Sequence, residues 1–354
     1  MKYLIAFIFT TFNTTAFAQK DIQSYLQAHH YSFSLDQGFN KKTTDTLKRK
    51  LSRYKLLLQA EGGSHFLDFY KKLPLVWLKF LSENFGLRYF FLESGHSSDI
   101  LLNRYLQTGD TSCIYPVSKF FWKSLYAYNA GLPAERKISF FGIDFEGAKT
   151  YVKALQLLLP PDTPPQAITP FVQLIKNANN TLTDCNYIID MNNQLKKALA
   201  RYQQVFTEYF GSNYADFERI VLNNGNCKDA FNNRNKNMAV NFLSFDKKRN
   251  QSIYYGELGE AHTVMVNKNT ASIINQSQAF ANKVCVVNLY CYNCSTPKEE
   301  PSNWPLKKIE KDIIAYFLPF CNADFTLFDL SDNPELTKKY AVYGQFLIIA
   351  KNQN

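Results

Sequence analysis

Residues 54–65 read YKLLLQAEGGSH, and residues 87–96 read LRYFFLESGH. Each stretch contains a short apolar run, which is typical of a buried strand, and then continues into polar residues and glycine. Between them, large apolar side chains recur every three or four residues from Phe66 to Leu81, which predicts an amphipathic helix ending at Gly86. Two strands joined by such a helix form a βαβ unit, so we expect the strands to be parallel.

The same alternation continues along the chain. Helices are predicted over 100–107 and 118–129, and strands over 137–143, 252–258, 284–290 and 343–350. The predicted fold class is therefore α/β, with a mostly parallel central sheet flanked by helices. The proline-rich stretch 160–165 opens about a hundred residues without a strand signal, which predicts a large helical insertion over about 160–250. Residues 19–53 are predicted to form a helical, polar lead-in.

The composition excludes several classes of protein. The 354 residues are 46% hydrophobic, 16% aromatic and 20% charged, which is typical of a globular chain and not of a disordered one. Fourteen glycines and thirteen prolines are too few for a collagen-like protein. The 40 basic and 30 acidic residues are dispersed in short runs, so we expect a solvated surface and no nucleic-acid partner.

The first eighteen residues have the pattern of a secretory signal peptide. Lys2 precedes an apolar run over residues 4–9, and Ala16-Phe17-Ala18 gives a small-residue cleavage site before Gln19. Cleavage between Ala18 and Gln19 predicts an exported protein, periplasmic or extracellular, with no stable membrane anchor. Residues 19–354 are then expected to form a single α/β domain.

Four of the seven cysteines form two candidate pairs. Cys185 and Cys227 flank a predicted helical stretch, and a disulfide between them would suit an exported protein. Cys291 and Cys294 form a C-x-x-C motif that follows a predicted strand. A structural disulfide or inert thiols are favoured here over zinc binding, because the sequence has no second C-x-x-C motif. They are also favoured over redox catalysis, because the motif follows a strand and runs into Pro297, whereas a redox motif would open a helix.

Chemistry is expected at the ends of the strands, because ligands of parallel sheets bind beyond the carboxyl ends of the strands. Each of four predicted strands is followed by a carboxylate, and three of the four also deliver a histidine. These residues are Glu61 and His65, Glu93 and His96, Asp144, and Glu260 and His262. A histidine beside a carboxylate can take a proton from water near neutral pH, and such a cluster can also bind a metal. The sequence contains no H-E-x-x-H, G-x-S-x-G, P-loop or dinucleotide motif.

These strand ends resemble the erythromycin esterase family. The likeness rests on an ordered set of short motifs: the strand ending at Glu61 and His65, LESG at 92–95, RYLQTG at 104–109, YN at 128–129, FFGID at 140–144, NRNKNM at 233–238 and EAH at 260–262. The chain departs from the family pattern at two of them. Glu61 lies four residues before His65 where the family has three, and Gly259 and Glu260 replace a histidine and an asparagine.

The resemblance implies a set of site residues. His262 would be the general base, oriented by Glu93 or Glu260, and His65 would be a second catalytic histidine beside Glu61. We expect Arg234, Asp144, His96 and Arg104 to bind the substrate.

The leading functional hypothesis is thus a secreted hydrolase that directs water at an ester or lactone, with a small-molecule substrate and no cofactor. The superfamily includes Tiki-type haem-uptake relatives, so a non-catalytic, haem-uptake-like binding protein is the alternative. A metal-dependent hydrolase using His65, His262, Glu93 and Glu61 is the third possibility.

Overall fold

The computed structural model describes residues 21–61, 69–114, 119–179, 184–223, 233–265, 268–294, 311–333, 336 and 344–352. Its centre is a sheet with the strand order β1-β7-β8-β6-β2-β5-β3-β4. The strands are β1 (His30–Phe33), β2 (Leu56–Glu61), β3 (Tyr89–Leu92), β4 (Ser139–Gly142), β5 (Tyr254–Gly259), β6 (Val284–Tyr292), β7 (Phe325–Asp329) and β8 (Phe346–Lys351). All neighbours pair in parallel except β7, which is antiparallel to both β1 and β8.

Helices flank the sheet on both faces. They are α1 (residues 21–28), α2 (Lys41–Leu51), α3 (Phe69–Phe85), α4 (His96–Thr108), α5 (Lys119–Ala130), α6 (Ala148–Leu158), α7 (Thr169–Lys176), α8 (Cys185–Phe210), α9 (Tyr214–Val221), α10 (Arg234–Arg249), α11 (Glu260–Thr263), α12 (Thr270–Gln276) and α13 (Lys311–Phe317). Short 3₁₀ turns cover Thr111–Cys113, Ala134–Arg136, Gly211–Asn213 and Leu318–Phe320. Within the described ranges, none of these helices combines the length and the apolar character needed to cross a membrane.

The predicted mostly parallel α/β architecture is confirmed, with two differences in the strands. Residues 19–53 are not wholly helical, because β1 lies within them and pairs with β7. Only Phe33 of the four β1 residues is buried, so this edge strand carries almost no apolar signal. Strand β7 was not predicted, although all five of its residues are buried.

Apolar side chains cover both faces of the sheet. Leu57, Phe90 and Tyr255 point into the larger core, which also contains side chains of α3 to α9. Leu56, Leu58, Phe91 and Tyr254 point to the opposite face and contact Met238, Ala239 and Phe242 of α10. The last helix of the predicted insertion therefore covers one face of the sheet.

Side chains close the free edge of the sheet. Just before β4, Asn129 of α5 exchanges two hydrogen bonds with the backbone of Ile138, of 2.8 and 2.9 Å. On β4 itself, Asn103 of α4 exchanges two bonds of the same lengths with the backbone of Phe140. Asp99 accepts the N–H of Gly142. These residues satisfy backbone groups that a ninth strand would otherwise pair with.

The ends of β3 and β4 approach each other so closely that glycine is needed. A Cβ atom on Gly142 would collide with the backbone oxygens of Ser94 and Gly95. A Cβ atom on Gly95 would lie 2.5 Å from the carboxylate of Glu146. The glycines of the LESG and FFGID motifs thus allow the two loops that carry Glu93 and Asp144 to pack together.

Candidate active site

Residues from three strand ends meet the first residue of α10 at the carboxyl edge of the sheet. Glu93 directly follows β3, and Asp144 lies two residues beyond β4. Strand β5 continues without a break into α11, which carries His262. Arg234 enters this group from the N-terminus of α10 and contacts all three side chains.

Arg234 is the centre of the cluster. Its Nε donates to both oxygens of Asp144 at 3.1 and 3.0 Å, and its Nη2 donates to Asp144 Oδ2 at 2.5 Å. The same Nη2 donates to Glu93 Oε2 at 2.7 Å. The other oxygen of Glu93 accepts the backbone N–H of Gly259. Although partial burial disfavours the charged form, the two carboxylates raise the pKa of Arg234, so the guanidinium stays charged.

Asn235, the next residue along, fixes the tautomer of His262. The N–H of Thr270 donates to Asn235 Oδ1 at 3.2 Å, which identifies this atom as the amide oxygen. His262 Nδ1 lies 2.7 Å from the same oxygen and must therefore donate its proton to it. In the neutral ring Nε2 then carries the lone pair, and it accepts from Arg234 Nη1 at 3.3 Å.

The environment of His262 favours the neutral ring. Burial lowers its pKa, and the charge of Arg234 lowers it further, while Glu93 and Asp144 act in the opposite direction. Glu93 Oε2 lies 3.8 Å from Nε2. An imidazole that is neutral at pH 7 and has a carboxylate beside its unprotonated nitrogen is equipped to accept a proton.

A network of buried amides holds the Asp144 loop in place. Asn223 Nδ2 donates to the carbonyl of Asp144 at 2.8 Å and to Glu146 Oε1 at 2.6 Å. Asn241 Nδ2 donates to the carbonyl of Ile143 at 2.9 Å. The Glu146 carboxylate accepts the backbone N–H groups of His96 and Ser97 at 2.8 and 2.9 Å, and so caps α4. These bonds fix the backbone of the loop whose Asp144 carboxylate binds Arg234.

A second pair of carboxyl groups lies next to this cluster. Glu257 of β5 is buried beside Gln59 of β2, whose Nε2 donates to Glu257 Oε1 at 3.2 Å. Burial raises the pKa of Glu257 well above its usual range, and the charge of Glu61 and a hydrogen bond with it raise it further. This shift favours the protonated form of Glu257, which is hydrogen-bonded to Glu61 at the end of β2.

The other predicted site residues have different positions. His65 lies outside the described residues, and Glu260 begins α11, two residues before His262. His96 and Arg104 are on α4 and line a groove along β4. Arg104 is half exposed and faces Asp110 at 3.8 Å.

The predicted cysteine pairs have different outcomes. Cys291 and Cys294 are buried free thiols, so the possible disulfide between them is wrong, and the inert-thiol alternative stays a prediction. Burial protects both sulfurs, and Cys294 Sγ donates to the carbonyl of Ala350 at 3.6 Å. The bridge between Cys185 and Cys227 stays a prediction, because Cys227 lies outside the described residues.

The predicted site residues did not include Asn235 and Glu257, which belong to the arrangement described above. Asn235 is adjacent to Arg234, and its role becomes visible only when α10 is placed against α11 and α12. Glu257 was visible as an acid inside an apolar strand, a pattern that commonly marks a buried carboxyl group with a polar partner. Over the described ranges, no group of three or more histidine, cysteine, aspartate or glutamate side chains is arranged to hold a metal ion.

The fold has counterparts among solved structures. No family model matches the sequence, and no curated protein matches it. A succinoglycan biosynthesis protein superposes with a TM-score of 0.66 at 12% identity, over 95% of this chain and 97% of that one. A protein from Bacillus cereus gives 0.63 at 15% identity, over 95% and 98%. A mutant of the erythromycin esterase EreC in its open conformation gives 0.60 at 13% identity, over 89% and 95%. This chain therefore has the fold of erythromycin esterase.

Proposed function

We propose that this chain is a hydrolase that directs a water molecule at the carbonyl carbon of an ester or lactone, with His262 as the general base. The observation that carries the proposal is the tautomer of His262. Asn235 holds the Nδ1 proton, so the lone pair of Nε2 points toward Arg234 and Glu93. Erythromycin esterase, whose name gives an ester as its substrate, supports the same chemistry through its shared fold.

The proposed reaction has two steps. Nε2 takes a proton from water while the water oxygen bonds to the carbonyl carbon, and the carbonyl oxygen becomes an oxyanion. Arg234 Nη1, displaced from Nε2 by the water, donates to this oxyanion, and Glu93 stabilises the imidazolium. In the second step the bond from carbon to the leaving oxygen breaks, and His262 returns its proton to that oxygen.

Further residues belong to the proposal. We assign Glu61 and Glu260 as additional acidic groups near the base, and His65 as a second histidine that polarises the carbonyl group. Asp144 positions Arg234 through the contacts described above. We also propose that the protein is exported after cleavage between Ala18 and Gln19.

The test is hydrolysis of a panel of esters and lactones, including macrolides, by the chain from Gln19 onward. Removing a general base costs roughly 10²–10⁴-fold in rate, so His262→Ala should abolish measurable turnover. His29→Gln, a substitution at the opposite edge of the sheet, is the matched control and should keep turnover. Equal turnover by His262→Ala and wild type would contradict the proposal. No turnover by folded wild-type protein on any compound would favour the non-catalytic binding alternative.

A further inference from the structure

A groove of about 830 Å³ runs along the free edge of β4, between α4, α9 and α10. This volume is in the range of small-molecule sites, which is roughly 300–1,000 Å³. One end lies at Tyr89 and Ser139, where β3 and β4 begin, and the other lies at His96 and Asn223, beyond the carboxyl ends of the strands.

The strand at the bottom of the groove is not available for pairing. Asn103 occupies the N–H and the carbonyl of Phe140, and Asp99 occupies the N–H of Gly142. A peptide therefore cannot add to this edge as a further strand. An occupant of the groove must instead be recognised by side chains.

Polar side chains of two helices, α4 and α10, line the groove. Gln107 on α4 and Ser244 on α10 are both exposed and both line the groove. Along α10 the lining residues are Asn241, Ser244, Phe245, Lys248 and Arg249, whose spacing puts them on one face of the helix. The exposed amide of Gln107 and the exposed hydroxyl group of Ser244 offer both donors and acceptors, which suits a ligand that carries hydroxyl groups.

At the end of the groove beyond the carboxyl ends of the strands, His96 has a buried polar atom without a partner. His96 is 7% exposed, and its Nδ1 has no hydrogen-bond partner in the described part of the chain. Burial and the nearby charge of Arg219 lower the pKa of His96 to about 3, so its ring is neutral. An unpartnered nitrogen of this kind costs free energy unless a ligand or water bonds to it.

The outer part of the groove combines positive charge with aromatic rings. Four basic side chains and three acidic ones line the groove, which leaves a small positive excess. Arg219 is already bound to Asp99 at 2.6 Å and to Asp216 at 3.2 Å. Arg249 of α10 lies over the Tyr89 ring at 5.7 Å, and Lys248 of the same helix also lines the groove.

We propose that this groove binds a short acidic oligosaccharide, a chain of sugar units that carries carboxylate groups. Lys248 and Arg249 would pair with a carboxylate, and Tyr89 and Phe245 would contact a sugar ring. The hydroxyl groups would bond to Gln107, Ser244 and the free Nδ1 of His96. The small excess of positive charge fits one or two carboxylates and not a polyanion such as nucleic acid.

Isothermal titration calorimetry with digalacturonate tests the proposal, with maltose as the neutral disaccharide. Saturable binding of digalacturonate at millimolar or lower concentration, with much weaker binding of maltose, is the expected result. Lys248→Gln should raise the Kd for digalacturonate roughly tenfold, because a charge-assisted hydrogen bond is lost. Lys247→Gln, an exposed neighbour on the same helix outside the groove, is the matched control and should not change it.

A second variant tests the position of the site. Ser244→Trp places a large side chain at an exposed position of the groove wall and should abolish binding without unfolding the protein. Absence of digalacturonate binding to the wild type would overturn the proposal, as would equal affinity for maltose or an unchanged Kd in Lys248→Gln and Ser244→Trp. The assay measures binding and involves neither His262 nor Arg234, so its outcome is independent of the proposed hydrolysis.

Discussion

His262 Nδ1 lies 2.7 Å from Asn235 Oδ1, an oxygen that also accepts the backbone N–H and the hydroxyl group of Thr270. Thr270 thereby fixes the orientation of the Asn235 amide, and the amide fixes which ring nitrogen of His262 carries the proton. The ¹⁵N chemical shifts of the His262 ring should accordingly show protonation at Nδ1 and a free Nε2 near pH 7. In Asn235→Leu this preference should be lost, whereas Lys236→Ala, at the exposed neighbouring position, should leave both signals unchanged. Protonation of Nε2 in the wild type would contradict the assignment.

His96 should make the protein less stable as the pH falls. Its pKa is about 3 in the folded state against 6.5 for the ordinary group, so the unfolded chain binds the proton more strongly. The free energy of unfolding of wild type, relative to His96→Gln, should decrease below pH 6.5 by up to about 1.4 kcal/mol per pH unit. Urea unfolding at pH 7.5, 6 and 5 provides the measurement. A constant difference between the two proteins would show that His96 is not buried in its neutral form.

Glu257 should have the opposite pH dependence. Its pKa is raised in the folded state, so its contribution to stability is complete below the ordinary value of 4.5 and is lost as the pH rises. Glu257→Gln keeps the shape of the side chain but cannot ionise. The free energy of unfolding of Glu257→Gln, relative to that of wild type, should therefore increase with pH between 5 and 9, as measured by urea unfolding.

Glu61→Gln serves as the control for that pair. It removes the neighbouring charge, so the pH-dependent gain from Glu257→Gln should be smaller in a Glu61→Gln background. Strictly additive effects of the two substitutions would mean that the two carboxyl groups do not interact.

Asn103→Ala should destabilise the protein, because the Asn103 side chain bonds both the N–H and the carbonyl of Phe140. Each buried group left without a hydrogen bond costs about 1–3 kcal/mol, so a loss of at least about 2 kcal/mol is expected. Gln107→Ala, at an exposed position of the same helix, should change the free energy of unfolding by less than about 0.5 kcal/mol. Comparable losses in the two variants would show that the Asn103 side chain does not cap the strand.

The described thiols should be unreactive in the folded protein. Cys113, Cys285, Cys291, Cys294 and Cys321 are all buried. Burial raises the pKa of Cys321 to about 11, and a hydrogen bond with Cys294 together with burial raises the pKa of Cys291. Iodoacetamide at pH 8 should label them only after denaturation, with sites mapped by mass spectrometry. Rapid labelling of native Cys291 would restore a redox role for the C-x-x-C motif.

The parts of the fold that were predictable are those with strong apolar patterning. Strands β2, β5, β6 and β8 have runs of five or more buried residues, and the shorter β3 and β4 are made of large apolar residues. Glu93, Asp144 and His262 follow the ends of β3, β4 and β5. The register of β2 with β5 joins Gln59 to Glu257, two residues 198 positions apart, and no local pattern shows such a contact. Strand β1 pairs through its backbone and buries one side chain, so its sequence resembles a loop.

The residues of the candidate site likewise differ in how far the sequence alone predicts them. His262 could be found because it follows a predicted strand end, and Arg234 because the NRNKNM stretch at 233–238 resembles a motif of the erythromycin esterase family. The role of Asn235 depends on the packing of α10 against α11 and α12, and the capping role of Asn103 depends on which strand forms the edge. Both follow from tertiary structure, which the spacing of apolar residues does not specify.

The strand order has a consequence for the nascent chain. Strand β5 lies between β2 and β3, although both of those strands are synthesised more than 160 residues earlier. Before β5 has been synthesised, the edges of β2 and β3 that will pair with it carry unpaired backbone N–H and C=O groups. Arg234 and His262 also arrive late, so the cluster around them cannot assemble on a partly made chain. Arg234 and His262 therefore come together with Glu93 only after β5 has been synthesised.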